Sequence, residues 1–274
     1  QIFMLIVLLG AGNGLIHAFE ESSSERALNS IKIYPGWTSK SYDGLKEGRK
    51  IQLDNKDLRI TDTHFPDYVI KAGASIWQGT VTISFGSEYA SVGLAGVFPN
   101  HIEIETIKLF KGRFINETDI KERRKVIVLH KKTAEILFHK THTEPIGQFV
   151  NIGNVTYRVV GLCNDKGDSG EKPALIPFST LQTIYNQGDK LSYLTIATKN
   201  LETIEANNNF EKEYRKALGA NHRFDPTDNS ALWIWNQFTN YLQQQKGMAI
   251  LRTGIWVIGI FTLLSLSLIH ISEP

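Results

Sequence analysis

Two apolar segments, Ile2 to Phe19 and Thr253 to Ile271, stand at the ends of this chain and enclose the mostly polar stretch 20–252. Each comes close to the roughly 20 apolar residues that a bilayer core requires. Neither contains a carboxylate, a lysine or an arginine. The layout reads as a water-facing core domain, 20–252, tied to a membrane by a partial transmembrane helix at 1–19 and a second, truncated one at 253–271. The first segment has no starting methionine, basic leader or small-x-small cleavage site, so it is read as a helix of an internal fragment and not as a signal peptide. Loop charge does not orient the chain, because that rule holds for loops of up to about 60 residues.

The intervening composition is that of a folded domain: 42% of all residues are hydrophobic and 21% charged. A net charge of +2, with no basic run longer than Arg123-Arg124-Lys125, excludes the electrostatic face that a nucleic acid demands. Cys163 stands alone, so no internal disulfide forms and burial must hold the core together.

Local patterns predict a mixed order of elements. Ile31 to Tyr34 alternates like a strand and stops at Pro35-Gly36. Asp54 caps a helix from Asn55 to about Thr61. Ile76 to Phe85 and Ala90 to Val97 form a long hairpin about Gly86-Ser87, and Gln148 to Ile152 pairs with Val155 to Val160 about Gly153-Asn154. Lys125 to Leu129 leads as a strand into a helix at Lys131 to Phe138. Ala174 to Pro177 is a strand, Ser179 caps the helix after it, Leu194 to Thr198 is a strand and Glu202 to Leu218 a helix. Strands and helices without strict alternation make the fold class α+β.

Ala231, Ile234, Trp235, Phe238, Tyr241 and Leu242 recur at helical spacing, and the pattern runs on through Arg252 into the second apolar segment. This predicts one stalk helix, 231–252, continuous with the membrane. Packing on its own domain is the commoner role for such a stripe. The alternative is a rod that carries rotation or tilt, with Trp235, Phe238 and Leu242 as the motion-transmitting residues.

Candidate chemistry is thin. Gly167-Asp168-Ser169-Gly170 matches the tetrapeptide around the serine of chymotrypsin-like proteases, but no histidine lies in a context that would supply the base. His139 and His142, with His130 upstream, lack the cysteine or carboxylate at motif spacing that a zinc site needs. Asn116-Glu117-Thr118 and Asn154-Val155-Thr156 fit the glycosylation triplet and decide nothing. No phosphate-cradling Gly-x-x-x-x-Gly-Lys-Ser/Thr loop occurs, so ATP would have to be bound by a partner. No catalytic, cofactor-binding or metal-binding residue is assigned, and the chain is read as not an enzyme.

Several segments together resemble one family: Leu9-Gly10-Ala11-Gly12-Asn13-Gly14, Gly112-Arg113-Phe114-Ile115-Asn116, Arg123 to Leu129, Ile146-Gly147 with Tyr157-Arg158-Val159-Val160-Gly161, Ile176-Pro177-Phe178-Ser179-Thr180, and Gly259 to Ser265. The chain resembles the permease subunits of MacB/FtsX-like ABC exporters, above all the periplasmic core domain between their first two membrane helices. The resemblance implies a Gram-negative inner-membrane protein, dimeric with a second permease subunit. It implies a cytoplasmic ABC ATPase that drives it, and a periplasmic adaptor or outer-membrane component as a further partner. Such proteins pass ATP-driven helix motion to the periplasm, a process called mechanotransmission. The resemblance also implies two lobes: a porter-like lobe at 30–111 and 192–230, and a smaller inserted mixed lobe at 112–186. After Ser265 the sequence leaves the family pattern, which reads as a truncated frame. The competing readings are the extracytoplasmic sensor domain of a two-helix receptor, such as a histidine kinase, and a membrane-tethered hydrolase.

Overall fold

A single antiparallel hairpin forms the spine of the structure, here a computed structural model that describes residues 29–164 and 172–272 together with Gly14. Its strands are β2 (Val69–Phe85) and β3 (Glu88–Val97), paired from Ser75↔Val97 to Phe85↔Glu88 with a bulge between Trp77 and Gly79. Seventeen residues make β2 long enough to serve two neighbourhoods. Its first half pairs with β9 (Tyr193–Thr198) and its last residues with β6 (Phe149–Ile152).

The other strands extend the sheet on both sides of this spine. They are β1 (Ser30–Pro35), β4 (Lys108–Gly112), β5 (Val126–His130), β7 (Val155–Asn164), β8 (Ala174–Pro177) and β10 (Leu232–Asn236). The order is β10-β1-β9-β2-β3-β8-β5-β7-β4, with β6 pairing β2 and β7 off this path. The pairs β3/β8 and β5/β7 are parallel and the rest antiparallel, as a mixed α+β domain requires.

Two capped helices show how the sequence sets the elements. Helix α1 (Asn55–His64) begins where the Asp54 carboxylate accepts from the Lys56 and Asp57 amides, while Asp57 accepts from the Asp54 amide. Helix α6 (Ile204–His222) starts at Thr203, whose hydroxyl accepts from the Ala206 amide, and stops at Arg223, which takes a left-handed conformation. Between them lie α2 (His101–Ile104), α3 (Glu117–Lys121), α4 (Lys131–Phe138) and α5 (Phe178–Ile184). Phe210, Tyr214 and Leu218 of α6 are buried at helical spacing, and Phe65 meets Phe210 edge-on at 5.5 Å.

Strand alternation divides the buried residues between the faces of the sheet. Ile31, Ile33, Ile76, Leu94, Ile127, Val159 and Ile176 belong to the main core, together with α6. Ala95, Val97, Val128, Cys163 and Leu175 form a smaller cluster with Phe114 and Ile115. Full burial of one such aliphatic side chain stabilises by about 1.5–3 kcal/mol.

Three expectations change here. The two expected lobes share one sheet and one core cluster: β3 hydrogen-bonds β8, β2 reaches β6, and residues 29–236 form one compact unit. Strand β4, placed by sequence in the porter-like half, pairs with β7 of the inserted half. Ser179 is not a cap. Pro177 holds the N-cap position of α5, and the Ser179 hydroxyl donates to the carbonyl of Ile120 instead.

Residues 237–272 belong to a separate unit and form one helix, α7 (Gln237–Ser272). The expected stalk helix therefore starts at Gln237 and not at 231, because Leu232–Asn236 pairs with β1 in register from Ile31↔Asn236 to Pro35↔Leu232. Among the described residues no helix is long and apolar enough to cross a membrane. The expected first span, apart from Gly14, and the side chains of 263 and 265–272 lie outside the described residues.

Candidate functional site

Four of the segments that resemble a family, Gly112 to Asn116, Arg123 to Leu129, Tyr157 to Gly161 and Ile176 to Thr180, converge on one joint. Asp119, in α3, is fully buried and accepts two hydrogen bonds from the Arg113 guanidinium, at 2.6 and 3.1 Å, and one from the Asn116 amide at 3.0 Å. The Asn116 side-chain oxygen in turn accepts from the Asp119 amide, so the same carboxylate completes a capping box. Strand β7 passes so close that a Cβ on Gly161 would lie 2.1 Å from the carbonyl oxygen of Arg113. The Thr180 hydroxyl donates to the carbonyl of Arg124 at 2.9 Å, joining the Ile176 to Thr180 segment to the same place. These residues act as an anchor between β4, α3, β5, β7 and α5. Their chemistry is structural.

A second polar knot ties α1 to the end of α6. The His222 Nε2 lies 2.7 Å from Asp57 Oδ2, and the Asn221 amide donates to Asp57 Oδ1 at 2.8 Å. Asp54, Asp57 and His222 are the one group of three possible metal ligands among the described residues. Asp57 already accepts from the Asp54 amide, Asn221 and His222, so the arrangement is accounted for as a helix cap with a cross-link.

An aromatic face occupies the β10 side of the sheet. Tyr34 stands opposite Trp233 and Lys32 opposite Trp235, so these four side chains share one face, and Tyr34 stacks on Tyr193 at 5.0 Å. Trp233 is 68% exposed and Trp235 51%. With Pro35 and Ile234 they line a groove of about 370 Å3. Lys32 pairs with Glu105 at 2.5 Å beside it. Burial, and then the nearby Glu105 carboxylate, raise the Tyr34 phenol above its ordinary range, so it stays protonated at neutral pH.

The three residues expected to transmit motion do not share one helix. Phe238 and Leu242 lie four apart in α7 and so face the same way, whereas Trp235 belongs to strand β10. The helical spacing that included Trp235 is equally a strand alternation, Leu232 and Ile234 against Trp233 and Trp235. Pairing with β1 decided between them.

The other candidates resolve as structure where they are described. His130 caps α4, accepting from the Lys132 amide, while the rings of His139 and His142 lie 6.2 Å apart without it. Asn116 is a helix cap and Asn154 a turn residue. Gly167-Asp168-Ser169-Gly170 lies outside the described residues.

The fold has known relatives. The family model for the MacB-like periplasmic core domain matches residues 2–209. The chain belongs to this family. Among curated relatives, the macrolide export ATP-binding/permease protein MacB of Bartonella henselae is 25% identical over 206 residues, 74% of this chain and 30% of that protein. The MacB of Neisseria gonorrhoeae is 23% identical over 222 residues, 81% of this chain and 33% of its own length. The chain thus spans about a third of these relatives. In fold, the MacB-like domain matches the crystal structure of the periplasmic region of MacB from Actinobacillus actinomycetemcomitans, with a TM-score of 0.64, 19% identity and coverage of 81% of this chain and 95% of that one. The extracellular domain of the noncanonic ABC-type transporter YknZ from Gram-positive bacteria matches with a TM-score of 0.60 at 21% identity, over 76% of this chain and all of that one.

Proposed function

We propose that this MacB-like domain belongs to the permease subunit of an ABC-type exporter and passes ATP-driven motion from membrane helices to the periplasmic side. The observation that supports this reading most is the junction at Asn236 and Gln237, where β10 ends and a helix of 36 residues, about 54 Å long, begins with no residue between them. A flexible linker would absorb motion at that point; a strand fixed in a sheet passes it on. The strand is held by its ladder to β1 and by the Asn236 side-chain amide, which donates to Asn207 of α6 at 2.6 Å.

On this reading α7 enters the bacterial inner membrane through its distal part, where Trp256, Ile258, Phe261 and Leu264 are exposed to the surroundings. The ATP is bound by a cytoplasmic ABC ATPase, the permease works as a dimer, and a periplasmic adaptor or outer-membrane component receives the cargo. The domain itself performs no chemistry on that cargo. The relatives named as macrolide exporters support efflux as the class of transport.

The test uses a full-length transporter that carries this domain. Replacing Phe238 and Leu242 together by alanine should lower transport at least tenfold while ATP hydrolysis persists. Trp235→Ala, on the strand, should leave the two coupled. Normal coupling in the helix double variant would refute the assignment.

A further inference from the structure

Strand β10, which leads into α7, lies at an edge of the sheet and has a ladder on one side only, to β1. Its other hold comes from α6. Asn207, Glu211 and Arg215 recur every four residues and so line one side of that helix. Each of them reaches β10. The Asn236 side-chain amide donates to Asn207 Oδ1 at 2.6 Å, and the Asn236 side chain also hydrogen-bonds the Glu211 carboxylate. At the opposite end of the strand the Arg215 guanidinium donates to the Leu232 carbonyl at 2.8 Å.

The two spans match. From Asn207 to Arg215 the helix rises about 12 Å, in steps of roughly 1.5 Å, and from Leu232 to Asn236 the strand covers about 13 Å, in steps of roughly 3.3 Å. One side of one helix therefore grips the first and the last residue of the strand. Asn207 is itself fixed, being 1% exposed, with its side-chain nitrogen donating to the carbonyls of Leu201 and Thr203 at 2.9 and 2.7 Å. With both N–H groups committed, its oxygen is left for Asn236.

Polar residues are a costly choice for this role. Burial raises the Glu211 carboxyl above its ordinary range, against the pull of Arg215 and of the Asn236 bond, and burial also lowers the Arg215 guanidinium. Apolar side chains on the same side of α6 would cover the strand without that cost. They would not supply direction: apolar contact is non-directional and tolerates sliding, whereas hydrogen bonds at both ends fix the strand along its length.

We infer that Asn207, Glu211 and Arg215 are positioning residues that hold β10 against sliding, with Glu211 setting the place of Asn236, so that motion of α7 enters the sheet and is not lost at its edge. The inference rests on the exporter reading of the junction.

The experiment uses a full-length transporter carrying this domain in proteoliposomes, and measures export per ATP hydrolysed together with amide hydrogen exchange. Glu211→Met with Arg215→Met keeps unbranched side chains and removes both polar arms. Export per ATP should fall at least fivefold while hydrolysis persists, and exchange should quicken at least tenfold in 232–236 while β2 and β3 keep their protection. Glu211→Gln keeps an oxygen for Asn236 and should stay within twofold of the parent, as should Lys212→Ala on the exposed side of α6. A normal ratio in the double variant overturns the inference. So does loosening that spreads to β2 and β3, or a Glu211→Gln variant that loses as much as the double one. A flexible insertion after Asn236, measured alongside, separates the two readings. If it uncouples export and the double variant does not, the clamp alone is wrong; if neither does, the exporter reading falls and the clamp with it.

Discussion

Removing the Arg113 side chain should destabilise the core domain more than its partly exposed position suggests. Arg113 is 42% exposed as a side chain, yet its partner Asp119 is completely buried. Exposed ion pairs contribute about 0–1 kcal/mol, but a buried carboxylate stripped of its partner costs about 3–5 kcal/mol. Asp119 would keep the Asn116 amide and a distant Arg124, 3.8 Å away, so the loss should fall at the lower end. Arg113→Ala is expected to cost about 3 kcal/mol. Asp119→Asn removes the charge but keeps one oxygen for the cap and should cost about 2 kcal/mol. In the double variant neither charge is buried, so the total should stay near 3 kcal/mol, a coupling of about 2 kcal/mol. Equilibrium urea unfolding of residues 29–236 measures all three, and a single change should lower the midpoint by roughly 1 M. Single effects below about 1 kcal/mol that simply add would refute the idea that this joint anchors the sheet.

Four further outcomes follow from the same contacts. Gly161→Ala should cost about 2 kcal/mol in the same assay, because the new methyl would lie 2.1 Å from the Arg113 carbonyl oxygen in a strand that has no room to retreat. Asp57→Ala should cost about 3 kcal/mol and separate α1 from α6, since it removes a cap and leaves His222 and Asn221 without their acceptor. His101 titrates near 4 when folded and 6.5 when unfolded, so the unfolded chain binds the extra proton first; stability is full above about pH 6.5 and falls by about 3 kcal/mol as pH drops to about 4, a slope that His101→Gln should flatten in unfolding curves. Trp233→Ala should leave stability within about 0.5 kcal/mol, because that indole is 68% exposed and faces outward.

Local signals in the sequence were a good guide to local structure. The Asp54 cap, the strand–helix pair ending at Phe138 and the hairpin about Gly153-Asn154 are where their residues placed them. That turn needs a positive φ at its first position alone, and Gly153 supplies it at 56°. Long-range pairing was harder to read. Nothing local to Leu232–Asn236 announces β1, two hundred residues earlier on the chain by about as many positions as the domain is long, and the stripe from Ala231 to Leu242 fits helix and strand alike. The seam between β3 and β8 is likewise a contact of distant segments, so the domain looked divided where it is joined. Family-like segments such as Gly112 to Asn116 were visible as a pattern, and only their burial shows that they serve as an anchor. His101 was missed altogether: a lone histidine in His101-Ile102-Glu103-Ile104 has no motif, and its lowered titration comes from burial.

The central claim concerns the junction of β10 and α7, and the most direct measurement lengthens it. Four residues, Gly-Ser-Gly-Ser, are inserted between Asn236 and Gln237 in a full-length transporter carrying this domain, and substrate exported per ATP hydrolysed is determined in proteoliposomes. The account predicts that hydrolysis continues while export per ATP drops at least tenfold. An unchanged ratio would contradict it.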